Sequence, residues 1–151
     1  MKVTLEQIET EQSKVSELIS KFKKQLKTTL FEVPAAKIEL NFGERYAGLI
    51  LDDQGQPSHH LILLPDREEK DVNWADAKKW AESVGGELPT RKEQSLLFAN
   101  LKGEFEECWH WSSEPRGDSC AWLQGFGDGD QRCSGSNSTY RARAVRRLEI
   151  Y

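Results

Sequence analysis

Val72-Asn73-Trp74-Ala75-Asp76-Ala77-Lys78-Lys79-Trp80-Ala81-Glu82-Ser83-Val84-Gly85-Gly86-Glu87-Leu88-Pro89-Thr90-Arg91-Lys92-Glu93 holds two helix starts and a helix stop in one stretch. Asp71 or Asn73 is placed to cap the first helix, because a short polar side chain there accepts from an orphaned backbone N–H. Trp74, Ala77, Ala81 and Val84 recur at helical steps and share one face. Gly85-Gly86 ends the helix, since glycine takes the left-handed conformation without a Cβ clash. Thr90 and Glu93 have capping-box spacing, in which each side chain satisfies the other residue's N–H. Leu96, Leu97, Phe98 and Leu101 give the second helix an apolar side, and Gly103 is its expected stop.

On the N-terminal side, Tyr46–Leu51 and His60–Leu64 are apolar and strand-like. Asp52-Asp53-Gln54-Gly55-Gln56-Pro57 between them is turn chemistry, so the pair predicts a β-hairpin. On the C-terminal side the helical period disappears. Trp109–Ser113, Ser119–Phe126 and Arg141–Leu148 predict strands, with Gly125, Gly127, Gly129 and Gly135 in turns and loops. The fold class is α+β: two helices on a small antiparallel sheet set.

A further helix is expected from Thr4 to about Thr28, opened by a Thr4–Gln7 capping box. Leu5, Ile8, Gln12, Val15, Ile19, Phe22 and Leu26 alternate steps of three and four, which is a heptad seam. Its two outcomes are an amphipathic helix packed on its own domain or a parallel or antiparallel coiled coil between subunits. So narrow a seam favours the second, a homo-oligomer. Pro34 restricts itself and Val33 and breaks the helix, giving a segment 1–33 and a domain 34–151.

Composition bounds the function. The 151 residues are 30% charged and 37% hydrophobic, a balance that folds rather than stays disordered. The net charge of -4 gives no general attraction for nucleic acid. No apolar run approaches the ~20 residues of a membrane helix. Met1-Lys2-Val3-Thr4-Leu5-Glu6 lacks a signal-peptide core, so cytoplasmic synthesis is expected. The cysteines are Cys108, Cys120 and Cys133, an odd set that argues for reduced thiols over a disulfide framework, although Cys120 and Cys133 could pair across a loop.

Trp74-x-x-Ala77-x-x-Trp80-Ala81-x-x-x-Gly85-Gly86-x-Leu88 resembles the first helix and turn of the C-type-lectin-like fold. Leu88-Pro89-Thr90-x-x-Glu93 resembles its bacterial branch, which includes formylglycine-generating and sulfatase-modifying proteins. Trp111-Ser112-Ser113, Ala121-Trp122 and Val145-Arg146 are most similar to the family around the C-terminal domain of the Legionella collagen-like adhesin. The similarity runs from about Tyr46 to Leu148 and omits the first helix. Members are common in bacteria, phages and prophages, and most lack a defined activity. The fold also resembles phage tropism determinants, whose strand surface binds a receptor. That analogy places binding on Trp109–Ser113, Trp122–Arg132 and Tyr140–Arg143.

Within that surface, Trp122, Gln124, Phe126, Asp128, Asp130, Arg132, Tyr140, Arg141 and Arg143 are the expected partner-binding residues, because Trp, Tyr and Arg are the usual interface anchors. Trp74, Trp80 and Trp111 fit core positions, whereas Trp122 fits either core or ligand face. Arg141, Arg143, Arg146 and Arg147 also serve ion pairing with Glu104, Glu106 and Glu107, or phosphate contacts, which the net charge disfavours.

Other chemistry is weaker. Formylglycine-type oxidation needs a close cysteine pair for copper, and these three are spread apart. Glu114-Pro115-Arg116 resembles the sugar motif of animal lectins but has arginine where an amide ligand belongs, and Asp128-Gly129-Asp130 reads as a polar turn. The tripeptide Arg116-Gly117-Asp118 is expected by chance in a loop. Adjacent His59 and His60 point to opposite strand faces, so a solvated strand end is expected there rather than a metal site. His110 is expected as a surface polar residue. No nucleophile–base–acid spacing and no phosphate loop is present. The expected function is noncatalytic binding, without cofactor or metal, of a host or bacterial protein. The setting is an intracellular inhibitor or a virion-associated receptor binder. A glycan-binding module, or an oxidase or metal enzyme using Cys108, Cys120 or His110, is the alternative.

Overall fold

The structure is a computed structural model that describes residues 2–25 and 31–150. By internal contacts the chain divides into two compact units, Met1–Pro34 and Ala35–Tyr151. The first contains helix α1, Leu5–Gln25, opened by the reciprocal Thr4–Gln7 box at 3.0 and 3.3 Å. No described residue of α1 is buried. Leu26, the last seam position, lies outside the described residues.

The second unit is α+β. Strands β1 (Arg45–Leu51) and β2 (Pro57–Arg67) form the hairpin. Its turn is clamped by Asp52, whose Oδ1 accepts from the amides of Gln54 and Gln56, both at 2.9 Å. Helix α2 spans Trp74–Ser83 and α3 spans Arg91–Leu101. Strands β3 (Trp109–Arg116), β4 (Cys120–Gly125), β5 (Gln131–Gly135) and β6 (Arg143–Glu149) follow. They make two antiparallel sheets, ordered β1-β2-β6 and β3-β4-β5. No helix is long and apolar enough, among the described residues, to cross a membrane.

Local chemistry sets the helix ends. Asn73, not Asp71, caps α2 by accepting from the Asp76 amide at 2.9 Å. Gly85 adopts φ +84, and the Gly85 and Gly86 amides donate to Glu82 and Ala81 carbonyls. A Cβ on Gly86 would stand 2.7 Å from the Val145 carbonyl oxygen, so glycine lets the chain close onto β6. Glu87 and Val145 then exchange two backbone bonds of 3.0 and 2.8 Å. The Thr90–Glu93 capping box forms as spaced. Gly103 lies inside a 3-10 turn, Lys102–Glu104, that continues from α3 instead of stopping it at the glycine.

Two apolar clusters fill the domain. Ala77, Ala81 and Leu88 pack with Leu64, Trp111, Ala121, Leu123, Ala142 and Ala144, flanked by Trp74, Trp80 and Val84. Leu97 packs with Ala47, Ile50, Leu61, Leu63, Phe105, Phe126 and Val145. One chain segment serves both sheets. The Arg141 amide donates to Trp109 and its carbonyl accepts from Trp111, while β6 immediately after it pairs with β2.

Candidate binding surface

The β3-β4-β5 sheet carries most of the expected binding residues, and alternation divides them. Cys120, Trp122 and Gln124 of β4 share a face with Gly135, Cys133 and Gln131 of β5. Part of that face lies under α3. Gln94 Nε2 donates to the His110 and Trp111 carbonyls at 3.2 and 3.1 Å, and Gln124 Nε2 returns to the Gln94 carbonyl at 3.1 Å. Gln131 Nε2 then donates to Gln124 Oε1 at 2.7 Å and to the Arg91 carbonyl at 2.9 Å.

Three expected surface residues are therefore structural. Gln124 is buried and ties the sheet to α3. Phe126 is buried because β4 ends at Gly125 and the ring then stacks on Phe105, with centroids 3.8 Å apart. Arg143 is 4% exposed, with its guanidinium donating to the Leu64 and Glu104 carbonyls and lying 5.0 Å from the Phe105 ring centroid. Burial, reinforced by Arg67, lowers its pKa to about 10. Tyr140 and Arg141 are half-buried and already engaged. Tyr140 sits edge-on to Trp111 and bonds Ser134, whereas Arg141 pairs with Asp71 at 3.0 Å and Glu106 at 3.3 Å.

Trp122, Asp128, Asp130 and Arg132 stay at the surface and acquire neighbours the sequence did not indicate. Trp122 is half-buried, with the Arg91 guanidinium 3.6 Å and the Arg116 guanidinium 5.2 Å from its ring centroid. Arg116 also donates to Cys133 Sγ at 2.9 Å. Across the sheet, Arg132 lies 4.1 Å over the Trp109 ring and pairs with Asp130 at 3.2 Å. Gly125 makes that reach feasible: a Cβ there would meet the Trp109 ring at 3.4 Å and Asp128 Oδ1 at 3.0 Å. Asp128 clamps the loop by accepting from the Asp130 amide at 3.0 Å. A depression of about 200 Å³ beside Trp109 is lined by Glu107, Cys108, Gly125, Gly127 and Asp128. Strand β5 is the outer strand of its sheet, paired with β4. Its expected loop character is corrected; a short polar strand carries little hydrophobic period. Arg91 follows a helix cap and gives no sequence signal of its own, and Arg116 stands out in the sequence only within the sugar-like and Arg-Gly-Asp tripeptides, not as a neighbour of Trp122.

The remaining titratable groups are built into the frame. Glu93, 1% exposed, accepts from Arg147 Nε at 2.6 Å, Arg147 Nη2 at 2.9 Å, His59 Nε2 at 2.8 Å and the Thr90 amide at 2.8 Å. Burial pushes its carboxyl up, but Arg147, Thr90 and His59 together hold it below the usual range. Ser58 bonds His59 Nδ1 at 2.9 Å, completing a hydroxyl–imidazole–carboxylate chain. Because Arg147 already neutralises Glu93, that carboxylate anchors the fold and is poorly placed to drive proton transfer. His59 and His60 do face opposite ways, but neither is a solvated strand end: His60 is buried against Tyr46 Oη at 2.9 Å. His110 is also buried, between Phe105 and Phe126, so its expected surface position is corrected. Glu44, bound by Arg146 at 2.7 Å, is held at about 2. The three cysteines are free, and burial followed by the Glu106 carboxylate pushes the Cys108 thiol up, away from the thiolate a metal prefers. Among the described residues, no cluster of three His, Cys, Asp or Glu side chains is disposed to hold a metal ion. Set against known proteins, the chain matches no family model and no curated relative.

Proposed function

We propose that residues 34–151 form a C-type-lectin-like domain that binds a protein partner without catalysis. The observation that carries this is Trp122, half-buried at the surface beside Arg91 and Arg116 and next to the outer strand β5. An indole beside two guanidinium groups is a preorganised, weakly hydrated anchor, and Trp and Arg are both enriched at interface hot spots. The outer strand adds backbone donors and acceptors that an extended partner segment satisfies. Arg132 and Asp130 form a polar rim on the other side. A phage or prophage origin, with a host or bacterial protein as the target, accords with the family resemblance. The settings that fit are an intracellular inhibitor and a virion-associated receptor binder.

A glycan is the less favoured ligand. Glu114, the acidic member of the sugar-like tripeptide, accepts from the Arg91 amide at 2.6 Å and so caps α3. The test is capture from bacterial lysate with tagged full-length protein, identified by mass spectrometry. Trp122→Ala and Arg116→Glu should each abolish capture of a protein retained by the wild type, with thermal unfolding little changed. Equal capture by both variants would refute this surface.

A further inference from the structure

We propose that α1 pairs side by side and antiparallel with α1 of a second copy of the chain. Leu5, Ile8, Val15, Leu18, Ile19 and Phe22 are all between 49% and 71% exposed, so the Met1–Pro34 unit does not cover its own apolar stripe. A helix of this length is marginal alone in water, and its stability comes from packing that stripe. At about 100 Å² per side chain, a pair of helices buries roughly 1,200 Å², the lower end of a stable interface.

Charge fixes the occupant and its direction. Glu6, Glu9 and Glu11 make the first half of α1 acidic, whereas Lys14, Lys21, Lys23 and Lys24 against Glu17 make the second half basic. A parallel pair sets like halves together; an antiparallel pair sets each acidic half against a basic one and also opposes the helix dipoles. Within one helix, Glu11 is engaged by Lys14 at 2.8 Å and Glu17 by Lys21 at 2.6 Å. Glu9 and Lys23 lie two heptads apart on one flank of the seam. With Val15 packed on the partner's Ile19, Glu9 meets the partner's Lys23, and twofold symmetry repeats the contact. The same register packs Phe22 on the partner's Gln12 and brings Leu18 against the partner's Leu18 across the axis. That accounts for an exposed leucine outside the seam positions. The pairing does not depend on what the Ala35–Tyr151 unit binds.

Light scattering and sedimentation equilibrium on the full chain read the outcome. The expected mass is twice the 17.3 kDa of one chain. Ile19→Ser with Phe22→Ser should give the single-chain mass while the near-UV spectrum of the second unit is kept. Glu9→Lys and Lys23→Glu should each raise the dimer dissociation constant roughly 5- to 30-fold, and the two together should restore it. A wild-type monomer at about 100 μM, well above the micromolar range of a standard interface, overturns the proposal, as does a larger oligomer. A combined swap no tighter than the single ones overturns the antiparallel direction.

Discussion

Acidification should destabilise the Ala35–Tyr151 unit through His110. His110 is 3% exposed, held between Phe105 and Phe126, with Nδ1 bonded to the Cys108 carbonyl at 3.1 Å. Burial, helped by the cations of Arg143, Arg141 and Arg67, lowers its pKa from 6.5 to about 4. Between those values the unfolded chain takes up a proton that the folded one refuses, so stability falls as pH falls. At about 1.4 kcal/mol per pH unit, the full effect is about 3 kcal/mol, and about 2–3 kcal/mol of it is lost between pH 7 and 4.5. Glu44 acts lower: Arg146 holds it at about 2, so its contribution is present above 4.5 and lost as pH falls towards 2. Urea unfolding followed by tryptophan fluorescence should therefore show a midpoint roughly 1–2 M lower at pH 4.5 than at pH 7. His110→Phe is the control. It retains the aromatic packing, and the Cys108 carbonyl keeps its bond from the Phe126 amide at 3.0 Å. The same pH slope in His110→Phe would refute the assignment.

The other perturbations address the frame and the revised surface. Glu93→Ala removes the capping box and leaves Arg147 without its buried partner, which should cost about 3–5 kcal/mol and lower the melting temperature by roughly 10 °C; a drop of less than 2 °C by calorimetry contradicts it. Gly86→Ala places a Cβ against the Val145 carbonyl and should cost about 1–3 kcal/mol in urea titration, with loss of exchange protection at the Glu87 amide. Arg143→Glu puts an unpaired carboxylate into a buried site lined by carbonyls and should prevent folding, whereas Arg143→Met keeps the stem packing on Phe105 and should fold with reduced stability. A normally folded Arg143→Glu protein, judged by near-UV circular dichroism, returns Arg143 to the surface.

What the sequence disclosed was local, and what it concealed was tertiary. The Thr90–Glu93 box, the Gly85-Gly86 stop and the Asp52 turn each depend on residues within a few positions, so spacing alone reveals them. The strand-surface analogy and the anchor role of arginine and aromatic side chains point Phe126 and Arg143 outward. Their burial depends on Phe105 and Glu104, which come from the turn after α3. Trp122 was visible as an ambiguous aromatic, but Arg91 and Arg116 reach it from different elements, a convergence that no spacing encodes. Strand β5 was hidden for another reason: it is a short polar run whose register comes from pairing with β4.

The segment that leaves Tyr140, pairs with β3 and then enters β6 has a consequence for how the domain opens. It is a shared border, so peeling it from one sheet loosens the neighbouring edge of the other. Slow hydrogen exchange at Trp111, Arg141 and Val145 should then report a common, near-global opening free energy. If α1 pairs as proposed, protection of its amides should rise and fall with protein concentration, a readout of self-association independent of the opening of β3, β6 and the segment between them.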